Sequence, residues 1–244
     1  AVDVVEQDLS GVGTGRPEIA GAEWSGDQRV RAGEGLLAVS GHDRLARAAA
    51  QGRVALAAGL AWGSGLRLYA VLFAAGLLGR LGYLDLPQAL QVLQHPWVLG
   101  ASGVMLAIEF LADKIPLVDS VWDAAHSFIR IPAGAVLAAA ALGEHDPALA
   151  AVAAILGGTI AAGTHAAKAG ARALINTSPE PFSNITTSFG EEALLAGGLY
   201  AAFTQPLLFL AFLLVFLIFI VWLLPRLWRG VRLLVQRLRA LPGS

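Results

Sequence analysis

Ala193–Leu224 is 32 residues long and contains no charged side chain. As one helix at 1.5 Å per residue it would reach about 48 Å, well beyond the roughly 30 Å of hydrocarbon in a bilayer. A run of this kind places the chain in a membrane and also demands a break. Gln205-Pro206 is the natural position for it, because proline removes a backbone donor and clashes with the preceding turn. The sequence therefore predicts a short segment over 191–204 and a full span over 206–225. Composition points the same way: 56% of the 244 residues are hydrophobic and only 14% charged, against about 25% charged in soluble domains.

The same arithmetic excludes several classes. Seventeen Lys and Arg against 18 Asp and Glu leave a net charge of −1, so no bulk field selects nucleic acid as a partner. The absence of cysteine rules out disulfides, thiolate metal sites and cysteine catalysis. No phosphate-binding Gly-Lys-Ser/Thr loop, His-Glu-x-x-His or Gly-x-Ser-x-Gly elbow is present, so neither an enzyme nor a cofactor is expected. An intramembrane hydrolase or transferase using Asp123 and His126 is the enzymatic alternative.

Further apolar runs occupy Val54–Gly79, Trp97–Ala112, Phe128–Leu142 and Pro147–Ala169. His95-Pro96 and Asp146-Pro147 read as helix starts with proline at the first helical position. Ser188 and Glu191 have the spacing of a capping box ahead of the last apolar run. Trp62, Trp97, Trp222, Trp228 and Tyr83 sit near run ends, where aromatic belts form. Gly59-x-x-x-Gly63 suits close helix packing. Residues 1–52 are acidic and Gly-rich, without an apolar period, and read as a soluble, partly disordered extension. Residues 226–244 interleave Arg with Leu, Trp and Val and read as an amphipathic interfacial helix on anionic lipid. Arg44, Arg47 and Arg53 precede the first span and five Arg follow the last. The positive-inside rule then puts both termini in the cytoplasm and asks for an even number of crossings, about six. The expected fold is an all-α polytopic transmembrane helical bundle over 53–225, compatible with two inverted halves around residue 145.

Charged residues within apolar runs are costly and mark bundle interiors, pathways or sites. Two ladders stand out. Asp119, Asp123, His126 and Arg130 step by 4, 3 and 4 along one helical face, behind Glu109 and Asp113. His165, Lys168, Arg172 and Asn176 step by 3, 4 and 4 along another, leading into a polar stretch with Ser178, Glu180, Ser183 and Asn184. Arg67 lies in mid-run and reads as a partner for Glu109 or Asp113. The two ladders should oppose each other, with Arg172 gripping an acid-ladder carboxylate in bidentate fashion and Lys168 as the mobile or ligand-facing charge.

The strings Ala112-Asp113-Lys114-Ile115-Pro116, Asp119-Ser120, Trp122-Asp123, His126, Ile129-Arg130 and Asn176-Thr177-Ser178-Pro179-Glu180-Pro181-Phe182-Ser183-Asn184 resemble a bacterial membrane-protein family, domain of unknown function four-one-two-six. The resemblance covers about residues 55–225. It implies a multi-pass protein of the bacterial inner membrane whose marker residues are these polar ones, and it brings no activity with it.

Each cluster has competing readings. Asp119, Asp123, His126 and Arg130 suit a structural ion-pair ladder, a solute or ion pathway, or a metal site built on Asp119, Asp123 and His126. The 178–184 stretch suits a stiff connector or an anion-binding break between half-helices. Two functions follow: a transporter or channel-like protein for an ion or small anionic solute, and a non-catalytic membrane subunit or assembly factor. The expected partners are the bilayer and either further copies of the chain or a larger membrane complex.

Overall fold

The computed structural model describes residues 26–115, 118–143, 146–175 and 181–240; side chains of 26–42, 119, 120, 174, 181–184 and 224, and most beyond 226, lie outside the description. Asn176, Ser178 and Glu180 are likewise outside it. The described chain is all-α: α1 (Gly26–Arg80), a 3-10 helix (Gln88–Gln94), α2 (Pro96–Ala112), α3 (Val118–Leu142), α4 (Pro147–Ile175), α5 (Pro181–Thr204) and α6 (Pro206–Ala240). Two compact units divide between Ala46 and Arg47. Residues 26–46 of the first are helical, and all that follows concerns the second.

The local signals act as their chemistry requires. Asp146 Oδ1 accepts from the amides of Ala148 and Leu149 at 2.8 and 3.3 Å, with Pro147 opening α4. His95 Nδ1 accepts from the Trp97 amide at 3.3 Å ahead of Pro96. α5 ends at Thr204 and α6 begins at Pro206, where the charge-free run was expected to break. Two local readings are corrected. Ser188 is no cap: it lies inside α5, which starts seven residues earlier at Pro181 and takes Ser183 and Asn184 into its first turn. Trp62 is not in a belt: it is fully buried, edge-on to Phe209, Phe212 and Phe216 of α6.

Four helices among the described residues are long and apolar enough to cross a membrane, or five if the 3-10 helix and α2, bent by 67°, are one span. Phe128, Ile155 and Val221 are 85, 69 and 74% exposed, an outer surface suited to hydrocarbon rather than water.

Lipid tails are as apolar as leucine, so small residues and tight contact must hold such helices together. α3 and α4 run antiparallel, with Gly134 against Ala161 and Gly157 against Ala138. Gly59 and Gly63 let α1 approach Ala202 and Leu195 of α5. Gly65 is tighter: a Cβ there would lie 2.5 Å from the Ala161 carbonyl oxygen and 2.8 Å from Thr164 Cβ. Backbone cannot yield as a side-chain end can. Gly65→Ala should therefore lower stability by about 1–3 kcal/mol, read as a lower thermal midpoint in detergent. Gly52→Ala, with nothing within 4 Å, is the control expected to leave the midpoint unchanged.

α1 is not one straight rod. Arg67 has φ −149° and ψ 91°, outside helical space, and the helix turns back there. A Cβ on Gly63 would lie 3.0 Å from Leu195 and closer still to Val71, its neighbour eight positions on. In a continuous helix those two residues stand about 12 Å apart along the axis. The Ala49–Leu56 stretch and the Tyr83–Gln91 stretch line one shared cleft. Within the second unit, residues 47–80 of α1 are thus a hairpin of two arms with Arg67 at its turn.

Candidate buried charge network

A helix that turns at Arg67 releases backbone groups from its ladder, and in a membrane these need partners. The Leu66 carbonyl accepts from Lys168 Nζ at 3.2 Å. Around this turn α2 to α5 each contribute charges, nearly all withdrawn from the surface.

On one side, Arg130 of α3 bridges two carboxylates. Its Nη2 lies 2.5 Å from Glu109 Oε1 and its Nη1 2.5 Å from Asp123 Oδ1. Arg130 and Glu109 are both 0% exposed. His165 closes this side. Ser127 Oγ donates to the Asp123 carbonyl at 2.9 Å, so its oxygen accepts from His165 Nε2–H at 2.7 Å. That tautomer, assigned from the hydrogen-bond pattern, leaves His165 Nδ1 to accept from Arg130 Nη1 at 3.5 Å.

On the other side, Arg67 Nη2 lies 2.6 Å from Asp113 Oδ2 and donates to Ser188 Oγ at 3.0 Å. Arg172 holds Glu191 through Nε and Nη2, both at 2.9 Å, and donates from Nη1 to the Asp113 carbonyl at 3.2 Å. Lys168 joins the two sides. Beyond the Leu66 carbonyl, its Nζ lies 3.5 Å from Asp123, 3.5 Å from Glu191 and 3.7 Å from Asp113. Lys114 sits at the edge, 3.6 Å from Glu192 and 3.1 Å above the Phe110 ring. Among the described residues the network joins five cations (Arg67, Lys114, Arg130, Lys168, Arg172) to five carboxylates (Glu109, Asp113, Asp123, Glu191, Glu192).

Seven expected site residues meet here: Glu109, Asp113, Asp123, Arg130, His165, Lys168 and Arg172. The two ladders do face each other, and Arg67 does pair with Asp113. Of the two carboxylates offered for Arg67, Asp113 is the one it takes, and Glu109 is held by Arg130. Three details differ from expectation. Arg172 grips Glu191 rather than an acid-ladder carboxylate. Lys168 faces three carboxylates and a carbonyl instead of standing apart as a ligand-facing charge. His126 turns away: its Nδ1 bonds the Trp122 carbonyl at 2.8 Å, and its ring stacks on Trp122 at 4.0 Å and meets Tyr69 edge-on. The Asp119–Asp123–His126 metal reading has no support: Asp123 faces two cations, His126 is engaged elsewhere, and among the described residues no three His, Asp or Glu side chains are grouped to hold a metal. The Asp119 side chain lies outside the description.

Lys114, a polar residue of the family strings, joins the network too, whereas Ser127, Ser188, Glu191 and Glu192 were not among the expected site residues. Glu191 and Glu192 are the last acids in the chain and abut its longest apolar run, which was signal enough to include them.

The residual polarity of the network is informative. Glu109 Oε2, Asp113 Oδ1, Asp123 Oδ2, and Nε and Nη1 of Arg67 are buried and make no hydrogen bond. Such atoms are costly to bury, so each calls for a partner or a role. A pocket of about 630 Å³ between the second arm of α1, α2 and α5 reaches the network at Arg67 and Glu192, and is otherwise apolar.

A helical bundle with helices long enough to span a membrane, closed around a buried and charge-balanced centre, defines a polytopic membrane protein. The chain belongs to the family described as Domain of unknown function (DUF4126), whose model matches residues 54–226. No curated protein and no solved structure matches it.

Proposed function

We propose that the chain is a membrane transport protein that moves a proton or small ion through the network at the Arg67 turn. One observation carries this reading: a helix broken in mid-run delivers a backbone carbonyl, taken up by Lys168, and a buried guanidinium into a charged centre built by five helices. Broken helices at membrane depth are tolerated where they line a polar site, and transporters place substrate sites at such breaks. The unbonded carboxylate oxygens of Glu109, Asp113 and Asp123 favour a proton or small cation. A free anionic solute is less well served, because Lys168 and Arg172 already face carboxylates. His165 and Arg130 complete the polar path on one side.

The second reading, a non-catalytic subunit or assembly factor, is favoured by the match of five cations to five carboxylates, which a static lock requires. Flux into proteoliposomes separates the two. With separate proton, sodium, potassium and chloride arms, transport predicts uptake above protein-free vesicles in at least one arm. That uptake should fall at least tenfold in Glu109→Gln and Asp123→Asn. Folded protein with no flux in any arm, or flux indifferent to both substitutions, rejects the transport reading.

A further inference from the structure

Side-chain contacts fix the depth of each helix against its neighbours. Along the first arm of α1, Gly59 lies against Phe209 of α6, Trp62 against Phe216, and Gly65 against Ala161 and Thr164 of α4. α6 therefore descends beside that arm in the same direction. At Ile220 it meets Gly163 of α4, level with the Arg67 turn. The second arm then climbs back, and Tyr83–Gln91 rejoin Ala49–Leu56 around one cleft.

Two independent lengths agree. From Pro206 to Ile220 is 14 residues of α6 and from Arg53 to Arg67 is 14 residues of α1, each about 21 Å of helix. From Ile220 to Arg226, the first charge after the apolar run, is a further 6 residues, about 9 Å. The sum is the roughly 30 Å of bilayer hydrocarbon. The turn thus lies deep in the membrane without reaching the far side.

We infer that the apolar stretch of α1 does not cross the membrane. Residues 53–80 form a re-entrant hairpin that enters and leaves through one face. The crossings are made by α2 with its 3-10 helix, α3, α4 and α6, and by α5, whose Leu195 and Ala202 lie against Gly63 and Gly59, so that it runs antiparallel to the first arm and leads back from α4 to α6. Five crossings put the Arg53 end of the domain and the C-terminal end of α6 on opposite faces. This replaces the even count that the flanking arginines suggested. Irregular backbone at such depth survives only when enclosed by protein, and Leu66 and Arg67 are 5 and 1% exposed. The hairpin also makes the network asymmetric. It lies close to the Arg226 face and is sealed from the Arg53 face by the buried layer of Leu60, Ala61, Trp62, Leu137 and Phe209. The inference is independent of the transport reading, since a static subunit would have the same topology.

The chain contains no cysteine, so single cysteines report position directly. Gly52→Cys, Tyr83→Cys and Gly230→Cys are introduced separately into the full chain. Intact cells and inverted membrane vesicles are then exposed to a membrane-impermeant maleimide. Gly52→Cys and Tyr83→Cys should label in the same preparation and Gly230→Cys in the other. Labelling of Gly52→Cys and Tyr83→Cys from opposite sides overturns the hairpin, and labelling of Gly230→Cys together with Gly52→Cys overturns the odd count. A cross-link test covers the case of a reagent that cannot reach one site. The double variant Gly52→Cys/Tyr83→Cys should be joined within one chain by a bismaleimide of about 10 Å, whereas a straight helix of 31 residues would hold the positions about 46 Å apart. Failure to join them counts against the hairpin.

Discussion

Arg130→Met is expected to cost about 3–5 kcal/mol, the largest loss for any single residue in the domain, because it strips the cation from two buried carboxylates at once. Glu109 has no other ion pair among the described residues, while Asp123 keeps Lys168 at 3.5 Å. Glu109 should therefore carry most of the penalty. Arg130→Met with Glu109→Gln is expected to recover more of the loss than Arg130→Met with Asp123→Asn. Arg130→Lys should fall between parent and Arg130→Met, since one ammonium cannot reproduce a planar fork that serves two carboxylates from separate nitrogens. The readout is the thermal midpoint of the purified protein in detergent together with its folded yield. A midpoint for Arg130→Met within about 2 °C of the parent, less than 1 kcal/mol for a domain of this size, would show that the Arg130 bridge contributes little.

Much of this was legible in the sequence because membrane burial leaves strong marks. Helix existence, the starts at Pro96 and Pro147 and the break at Gln205-Pro206 follow from hydropathy and proline chemistry, which act locally. The facing of the two polar ladders was legible too. Each occupies one side of a helix, and buried charges must find their opposites. What escaped was non-local. The turn at Arg67 has no proline, and Val54–Gly79 reads as one apolar span interrupted only by Arg67 and a few small polar positions. Gly63-Ser64-Gly65 stands just ahead of the turn, where such residues permit a kink, but Gly63 reads as a packing glycine and Arg67 pointed to a partner rather than to a bend. The even number came from the positive-inside rule, which sees flanking arginines and not the path between them. His126 was misassigned for a related reason: it lies on the ladder face by spacing, but a histidine can satisfy itself against its own helix and the Trp122 and Tyr69 rings. Trp62 was placed in a belt by its position near a run boundary, and tertiary packing against three phenylalanines decided otherwise.

The partner of Arg172 provides the second large effect, and it separates the observed network from the pairing that helix spacing alone suggested. Spacing opposed Arg172 to Asp123. In the structure Nε and Nη2 of Arg172 bond Glu191, at 2.9 Å each, and Nη1 bonds the Asp113 carbonyl, while Asp123 is served by Arg130 and Lys168. Side chains in direct contact couple by about 0.5–3 kcal/mol in double-mutant cycles, and bidentate, charge-assisted bonds belong at the upper end. Arg172→Gln and Glu191→Gln should each destabilise, since each removes the bidentate pair, leaving Glu191 with Lys168 and Arg67 at 3.5 and 3.9 Å and Arg172 without that carboxylate. Their combination should cost clearly less than the sum. Arg172→Gln with Asp123→Asn should come closer to additive, because Glu191 and Lys168 stand between the two residues. The cycles are read from thermal midpoints or chemical unfolding in mixed micelles. A larger coupling for Arg172 with Asp123 than for Arg172 with Glu191 would mean that the α4 and α5 faces meet in a different register. That would move Lys168 away from the Leu66 carbonyl and remove the contact that ties the α1 turn to the charged centre.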